Sequence, residues 1–564
     1  MENSNLIKKL VVDTFRIYDQ KIALLESIDG TNEFKKITYS SLRSDILALG
    51  TAMYKNEKIR NEKIAVIGEN SVKWLITYMA VMCGVGIIVP LDKQLPANEI
   101  INLVKRANLK MIVFSNKKKE LINEIKDSLP KDIQYVQMDK DDSKDISLDD
   151  MIAEGKDIIN RGNYEFIQKK INPESFSALI FTSGTSSKSK GVMLSNKNIM
   201  SDLNSIYMIY KDVMGRRFLS FLPMHHTYEF TITYLAMLGS GGSIGISRGL
   251  RHLMEDFKII KPEGMCCVPL LLENIKKKIQ KTVKKEGKEG TIKNVVLATS
   301  LLGPAKLETR RKIFSKIHEN FGGNLRYILC GAAAMEKETA QYLEGLGFIL
   351  LQGYGLTEAS PLVSGTTAKN KAYGTVGKAI PNVEVRIDIT DKEENTGEII
   401  VKGDNVMLGY YEDEEETKKV LKKGWLYTGD LGKYDEKGNL VITGRSKNVI
   451  VTSNGKNIYP EEIEAFIDKI PLVSESMVYG YEDEKKNIIV TARVTLNEEY
   501  ISEKYKDSRP SDDEIYDMIW EHIKEINHKL VTYKSVKKLE IKKGEFVKTT
   551  TLKIKRNEEL KNKI

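Results

Sequence analysis

The stretch Ala178-Leu-Ile-Phe-Thr-Ser-Gly-Thr-Ser-Ser-Lys-Ser-Lys-Gly191 runs from an apolar strand straight into a loop of hydroxyls, glycine and lysine. Gly184 lets the backbone bend close to a ligand and turn its N–H groups toward it. Thr182, Ser183, Thr185 and Ser186 supply hydroxyl donors, and Lys190 supplies a cation. This set suits a polyphosphate; the plainer alternative for the same residues is a flexible polar surface loop. The Walker pattern GxxxxGK[ST] is not met, because Ser189 precedes Lys190 and Gly191 follows it.

Outward from this loop, short apolar runs alternate with helical patterns through the first 440 or so residues. IAVIG (64–68), MIVFS (111–115), ALIFTS (178–183) and NVVLAT (294–299) read as buried strands. That alternation predicts α/β architecture with largely buried sheets. Trp74 to Leu91 carries no charge and approaches the length of a membrane span, but Gly84 and Gly86 interrupt it and Pro90 ends it. The expectation is a buried helix, a turn and a buried strand. Phe230 to Ser247 reads the same way, broken at Gly239, Gly241 and Gly242. From about 380, VEVRIDI, GEIIVKG and NLVITGR predict a small β subdomain. After Arg445, a strand and an Asn-Gly turn lead to a helix whose first turn holds Pro460, Glu461 and Glu462. The expected division is therefore 1–445, including the β subdomain at about 380–445, and an α+β domain at 446–564. Lys-rich segments at 117–126 and 276–293 read as exposed connections.

A chain of 564 residues is too long for one ordinary domain. The net charge of +9 reads as Lys-rich solvated faces, with no nucleic-acid partner expected. Cys83, Cys266, Cys267 and Cys330 form no CxxC pair, and the histidines show no metal-ligand spacing. A disulfide scaffold and a structural zinc site are thereby disfavoured, and a reducing cytoplasm is the expected setting. The opening MENSNLIKKLVVDTF lacks the apolar core of a secretory signal.

Four further segments carry chemistry. Gln352-Gly-Tyr-Gly-Leu-Thr-Glu358 combines close-approach glycines, an aromatic ring and a carboxylate. Trp425-Leu-Tyr-Thr-Gly-Asp430 ends in an acid suited to sugar hydroxyls, and Gly444-Arg445 follows at the domain change. Val547-Lys-Thr-Thr-Thr-Leu-Lys-Ile-Lys-Arg556 is a basic segment near the C-terminus. Taken in order with the loop at 182–191, these motifs resemble those of the adenylate-forming enzymes, which include acyl-CoA synthetases, luciferases and peptide-synthetase adenylation domains. The resemblance spans nearly the whole chain. Val268-Pro-Leu-Leu-Leu-Glu-Asn-Ile275, Gly353 to Pro361, Val406-Met-Leu-Gly-Tyr-Tyr411 and Ser453 to Glu464 resemble bacterial long-chain fatty acyl-CoA ligases in particular.

The resemblance implies a large N-terminal domain of α/β subdomains with a small β subdomain, followed by a small, mobile α+β domain. It implies ATP, Mg2+ and coenzyme A as co-substrates and cofactor, with a fatty acid as substrate. The loop would hold the β- and γ-phosphates. Tyr354 would lie against adenine, with Gly331, Ala332 and Ala333 as another wall and Gly353 and Gly355 on either side of the ring. Thr357 would touch the α-phosphate, and Glu358 would bind magnesium. Asp430 would accept hydrogen bonds from the ribose, assisted by Arg445. Lys553 would bridge the reacting carboxylate and the α-phosphate. His226 would stand beside the acyl site, with His225 packing behind it. Lys447 would be the hinge, and Gly455 would line the thiol channel. This chain departs from the family pattern at Ser187 and Ser189, where Gly and Pro are usual, and at Val547 and Leu552, where Pro and Gly are usual.

The expected reaction is adenylation of a carboxylate, then acyl transfer to CoA. Two alternatives stay open from the residues alone: transfer to the thiol of an acyl carrier protein, and a nucleotide-binding module without catalysis. No transmembrane segment is expected; peripheral membrane contact is compatible with a fatty substrate.

Overall fold

The structure, a computed structural model, describes residues 6–142, 145–182, 189–285, 307–333, 335–391, 395–451, 457–482, 488–506, 508–548 and 554–561. The run at 294–299, Ser183, Gly184, Thr185, Ser186, Ser187, Gly455, Leu552 and Lys553 lie outside these residues.

The apolar runs form strands because β-branched side chains pack on both faces of a buried sheet. Ile64, Ala65, Val66 and Ile67 are fully buried in the strand Lys63–Ile67. Met111–Phe114 and Ile87–Leu91 lie parallel to it on either side. The whole sheet has seven strands, in the order Gly409–Tyr410, Lys190–Ser195, Phe176–Thr182, Ile87–Leu91, Lys63–Ile67, Met111–Phe114 and Gln134–Gln137. The uncharged stretch from Trp74 is a helix (Val72–Ala80), a wide turn in which Gly84 takes φ +115°, and the strand Ile87–Leu91. The second uncharged stretch likewise gives a helical segment, Glu229–Gly239, and the strand Ser243–Ile246. Among the described residues, no helix is long and apolar enough to cross a membrane.

A second sheet has nine strands. Its centre is parallel: Gly264–Cys267 and Ile349–Gly355 flank Tyr327–Cys330, with Cys267 opposite Cys330 and Cys330 opposite Gln352. Arg217–Ser220 and Ser243–Ile246 continue it, and the antiparallel strand Leu362–Gly365 follows Ile349–Gly355 at the other side. The four cysteines are free and buried.

Contacts divide the chain into two compact units. The first draws on Met1–Thr182, Lys190–Val385 and Val401–Leu426 and holds both large sheets. The second draws on Ser183–Ser189, Arg386–Ile400 and Tyr427–Ile564. In the second, Val473–Glu482 pairs antiparallel with Ile488–Leu496, and Lys538–Lys542 adds a parallel strand. Pro460–Ile467 starts with Pro at its first turn, as its sequence predicts. Asp512–Asn527 is started by Ser511 and Glu514, each side chain bonding the other's backbone N–H. Ile515, Ile519, Ile523 and Ile526 recur at helical spacing and fill one core with Val478, Val490 and Val494.

Candidate active site

Thr182 ends one strand and Lys190 begins the next, and the two are paired in register. The Lys190 ammonium lies 2.7 Å from Glu416 Oε2 and 4.6 Å from the centre of the Tyr410 ring. Glu416 sits in the first turn of Glu414–Val420, which Asp413 caps through the Glu416 N–H at 3.1 Å. Hydrogen bonds from Lys190 and Lys419 hold the Glu416 carboxyl down at about 2. The hydroxyl of Tyr410 donates to Glu358 Oε1 at 2.9 Å. Burial, and then the Glu358 charge, push the Tyr410 phenol far up, so it stays protonated and donates.

Glu358 stands on a tight turn at the carboxyl end of Ile349–Gly355. A Cβ on Gly355 would come within 1.9 Å of Pro361 O, so the chain passes here only as glycine. Leu356 N–H donates to Pro361 O at 2.9 Å, and Thr357–Ala359 forms one helical turn. Asn405, fully buried, closes this turn: its Nδ2 donates to Ala359 O and Leu362 O, both at 3.0 Å. Ser360 Oγ donates to Asn405 O at 2.8 Å, and Met407 N–H to Glu358 O at 2.9 Å. Leu408 N–H donates to Met193 O at 2.9 Å and Tyr411 N–H to Gly191 O at 2.7 Å. Residues 405–411 therefore stitch the Glu358 turn to the strand that begins with Lys190.

The other expected residues of the first unit gather at the carboxyl ends of neighbouring parallel strands, where α/β sheets bind ligands. Gly331, Ala332 and Ala333 follow Tyr327–Cys330, while Gly353, Tyr354 and Gly355 end the adjacent strand. A Cβ at Gly331 would press to 3.2 Å from the Tyr228 ring, whose hydroxyl lies 2.8 Å from Leu329 O. Ala332 takes φ +70°, an uncommon backbone state for a residue with a Cβ. His226 follows Arg217–Ser220, a strand of the same sheet separated from Tyr327–Cys330 by Gly264–Cys267, and its ring lies 4.1 Å from that of His225. Burial drives the His225 imidazole well below its usual range, helped by His226 and Lys93. His225 is thus neutral, and its 3.6 Å approach to Asp92 is too long for a hydrogen bond.

In the second unit the hairpin register sets Asp430 opposite Arg445, with Arg445 Nε 2.7 Å from Asp430 Oδ1. Asp430 is buried. Thr428 accepts from the Asp430 N–H at 3.1 Å and donates to Ile399 O at 2.8 Å. Glu398 accepts from the Gly429 N–H at 2.8 Å, and Gly429 takes φ +72°. The carboxylate is thereby presented from a fixed turn. Lys447 is exposed on the helical turn Ser446–Asn448 that follows.

Glu358 fits a magnesium ion that arrives with phosphates. Such an ion needs only one or two protein carboxylates, its remaining ligands being phosphate oxygens and water. Glu358 is half-buried and oriented through one oxygen by Tyr410, and no cluster of three acidic, His or Cys side chains able to hold a metal occurs among the described residues.

Sequence reasoning missed Tyr410, Glu416 and Asn405. Tyr410 lay in a quoted motif, Val406 to Tyr411, without a role. Glu416 ends the acidic run Glu412 to Glu416, which by itself reads as a solvated helix start. Its partnership with Lys190 spans 226 positions and has no local signal.

The sequence profile of the AMP-binding enzyme family matches residues 14–411, and that of the AMP-binding enzyme C-terminal domain matches 447–562. Long chain acyl-CoA synthetase 4 of Arabidopsis thaliana is 27% identical over 515 residues, covering 83% of this chain and 76% of that protein. Long-chain-fatty-acid–CoA ligase 5 of Rattus norvegicus is 29% identical over 481 residues, covering 79% and 69%. The crystal structure of ATP-bound MatB from Rhodopseudomonas palustris superposes with a TM-score of 0.74 at 22% identity, over 98% of this chain and 99% of that one. The chain belongs to the AMP-binding enzyme family.

Proposed function

We propose that this protein activates a fatty acid with ATP, releasing pyrophosphate from an acyl adenylate, and then passes the acyl group to coenzyme A. The observation that carries this reading is the cluster at the base of the loop, where Lys190 and Glu358 are held by one tyrosine. The names of the relatives supply the acid class and the thiol.

A carboxylate is a weak nucleophile and is repelled by a triphosphate. It is already ionised near neutral pH, so no general base is needed. Positioning and charge stabilisation therefore dominate. Lys190 would offset charge on the β- and γ-phosphates, leaving Glu416 for them, with the hydroxyls of the 182–186 segment beside it. Magnesium, when bound at Glu358, would further offset the phosphate charge. Thr357 would donate to the α-phosphate, and Tyr354 with the 331–333 segment would flank adenine. Asp430, aimed by Arg445, would accept from the ribose hydroxyls. Lys553 would hold the carboxylate in line with the α-phosphorus, and His226 would border the acyl group. The adenylate is a mixed anhydride that water destroys, so the site must exclude water. A swing about Lys447 would then withdraw Lys553 and admit the thiol past Gly455. The C-terminal family match at 447–562 supports treating 446–564 as the moving domain, with 1–445 as the larger one. A reducing cytoplasm suits the four buried free cysteines.

An acid panel of graded chain length, assayed with ATP, Mg2+ and either CoA or an acyl carrier protein, tests this. The expected result is pyrophosphate release and acyl-CoA with long-chain acids. Acyl transfer to the carrier protein alone would replace the acceptor, and the absence of pyrophosphate release with every acid tested would favour a non-catalytic nucleotide-binding module.

A further inference from the structure

We propose that Tyr410 is the positioning residue of nucleotide activation, its ring carrying the Lys190 ammonium and its hydroxyl setting the Glu358 carboxylate, so that one side chain places both the loop cation and the metal-binding acid. The proposal rests on the roles of Lys190 and Glu358 given above.

The geometry is fixed from the backbone upward. Tyr410 is paired in register with Val192, two residues beyond Lys190, and alternate residues of a strand share a face. Its own N–H donates to Thr417 Oγ1 at 2.8 Å, and the neighbouring N–H groups of Met407, Leu408 and Tyr411 are all taken by backbone carbonyls. The side chain is only 6% exposed, so the ring has little room to turn. An ammonium over an aromatic face gains most where water is excluded. The hydroxyl bond to Glu358 is charge-assisted, which makes it stronger than a neutral one. Glu416 completes the arrangement by holding the Lys190 ammonium at 2.7 Å. Lys190, Tyr410 and Glu358 come from three distant parts of the sequence, and the Tyr410 side chain touches both of the others.

The two contacts are separable by mutation. Tyr410→Phe keeps the ring and removes the hydroxyl; Tyr410→Leu removes both. The full-length protein is assayed for pyrophosphate release with the best acid of the panel, titrating Mg2+ at fixed ATP and then ATP at saturating Mg2+. Tyr410→Phe is expected to raise the Mg2+ concentration for half-maximal rate about tenfold, the scale of one hydrogen bond to a charged group, with the KM for ATP nearly unchanged. Tyr410→Leu is expected to raise both. Glu358→Gln is the control. If Glu358→Gln shifts the Mg2+ midpoint and Tyr410→Phe does not, the Tyr410 proposal is overturned while the role of Glu358 stands. If Glu358→Gln leaves the midpoint unchanged, the role of Glu358 fails and the proposal falls with it. A general structural defect would instead lower the rate at all Mg2+ concentrations without moving the midpoint, which also overturns it.

Discussion

Two lysines carry the proposed chemistry, and they differ in what local sequence says of them. Lys190 is legible from its surroundings, because an apolar strand entering a run of Ser, Thr and Gly leaves few uses for a cation. Lys553 sits in a basic tail and gains a role only through the motif that contains it. Lys553→Ala should slow adenylation on the order of 10²–10³-fold, the loss expected for one charge-stabilising contact at a developing charge. It should leave thioester formation from preformed adenylate far less affected. Rapid-quench assays of the two half-reactions check this, and equal losses in both would remove Lys553 from its assigned role. The residues that hold Lys190 were not legible. Glu416 and Tyr410 are ordinary in their own neighbourhoods, and only the pairing of Gly409–Tyr410 with Lys190–Ser195 brings them to the loop.

At the scale of elements, the pattern of apolar runs located most of the strands around the site. The reason is physical: a strand covered on both faces must be apolar throughout, and glycine must appear where the chain turns sharply. The uncharged stretch from Trp74 resolved as helix, turn and strand for that reason. The turn at 355–362 was legible in its glycine but not in its fastening, since Asn405 reaches it from over 40 positions away. Asn405→Ala would leave two buried carbonyls without their donor, at a cost of about 1–3 kcal/mol. The expected outcome is a lower melting temperature together with a raised Mg2+ requirement, because Glu358 rides on this turn; calorimetry and the Mg2+ titration read the two effects. The segment Glu229–Leu235 offers a pH test. Glu229 is fully buried, and burial raises its carboxyl from 4.5 to about 8, against hydrogen bonds from Ser220 and Thr233. The folded state therefore holds a proton that the unfolded state has lost between about pH 4.5 and 8, so this group makes stability fall as pH rises through that window. Glu229→Gln should remove that dependence, and its melting temperature should gain on the parent as pH rises from 5 toward 8. A difference that is constant with pH would show that Glu229 is not protonated in the fold.

For the molecule as a whole, the α/β class was legible in the alternation of apolar runs with helical patterns, and the family in five motifs that stand in a fixed order. The acyl chain length was not, because a pocket's volume is set by side chains far apart in sequence and by small differences in packing. The proposed sequence of two half-reactions asks one chain to hold a carboxylate against ATP and then admit a thiol. One compact unit holds the Lys190–Tyr410–Glu358 cluster, and the other holds the Asp430–Arg445 pair. The most direct test follows the nucleotide itself. ATP labelled in its α-phosphate is incubated with Mg2+, a long-chain fatty acid and the protein, with and without CoA. AMP, pyrophosphate and acyl-CoA in equal amounts when CoA is present, and acyl adenylate when it is omitted, are the predicted result; ADP and orthophosphate, or bound nucleotide with no pyrophosphate from any acid, would contradict it.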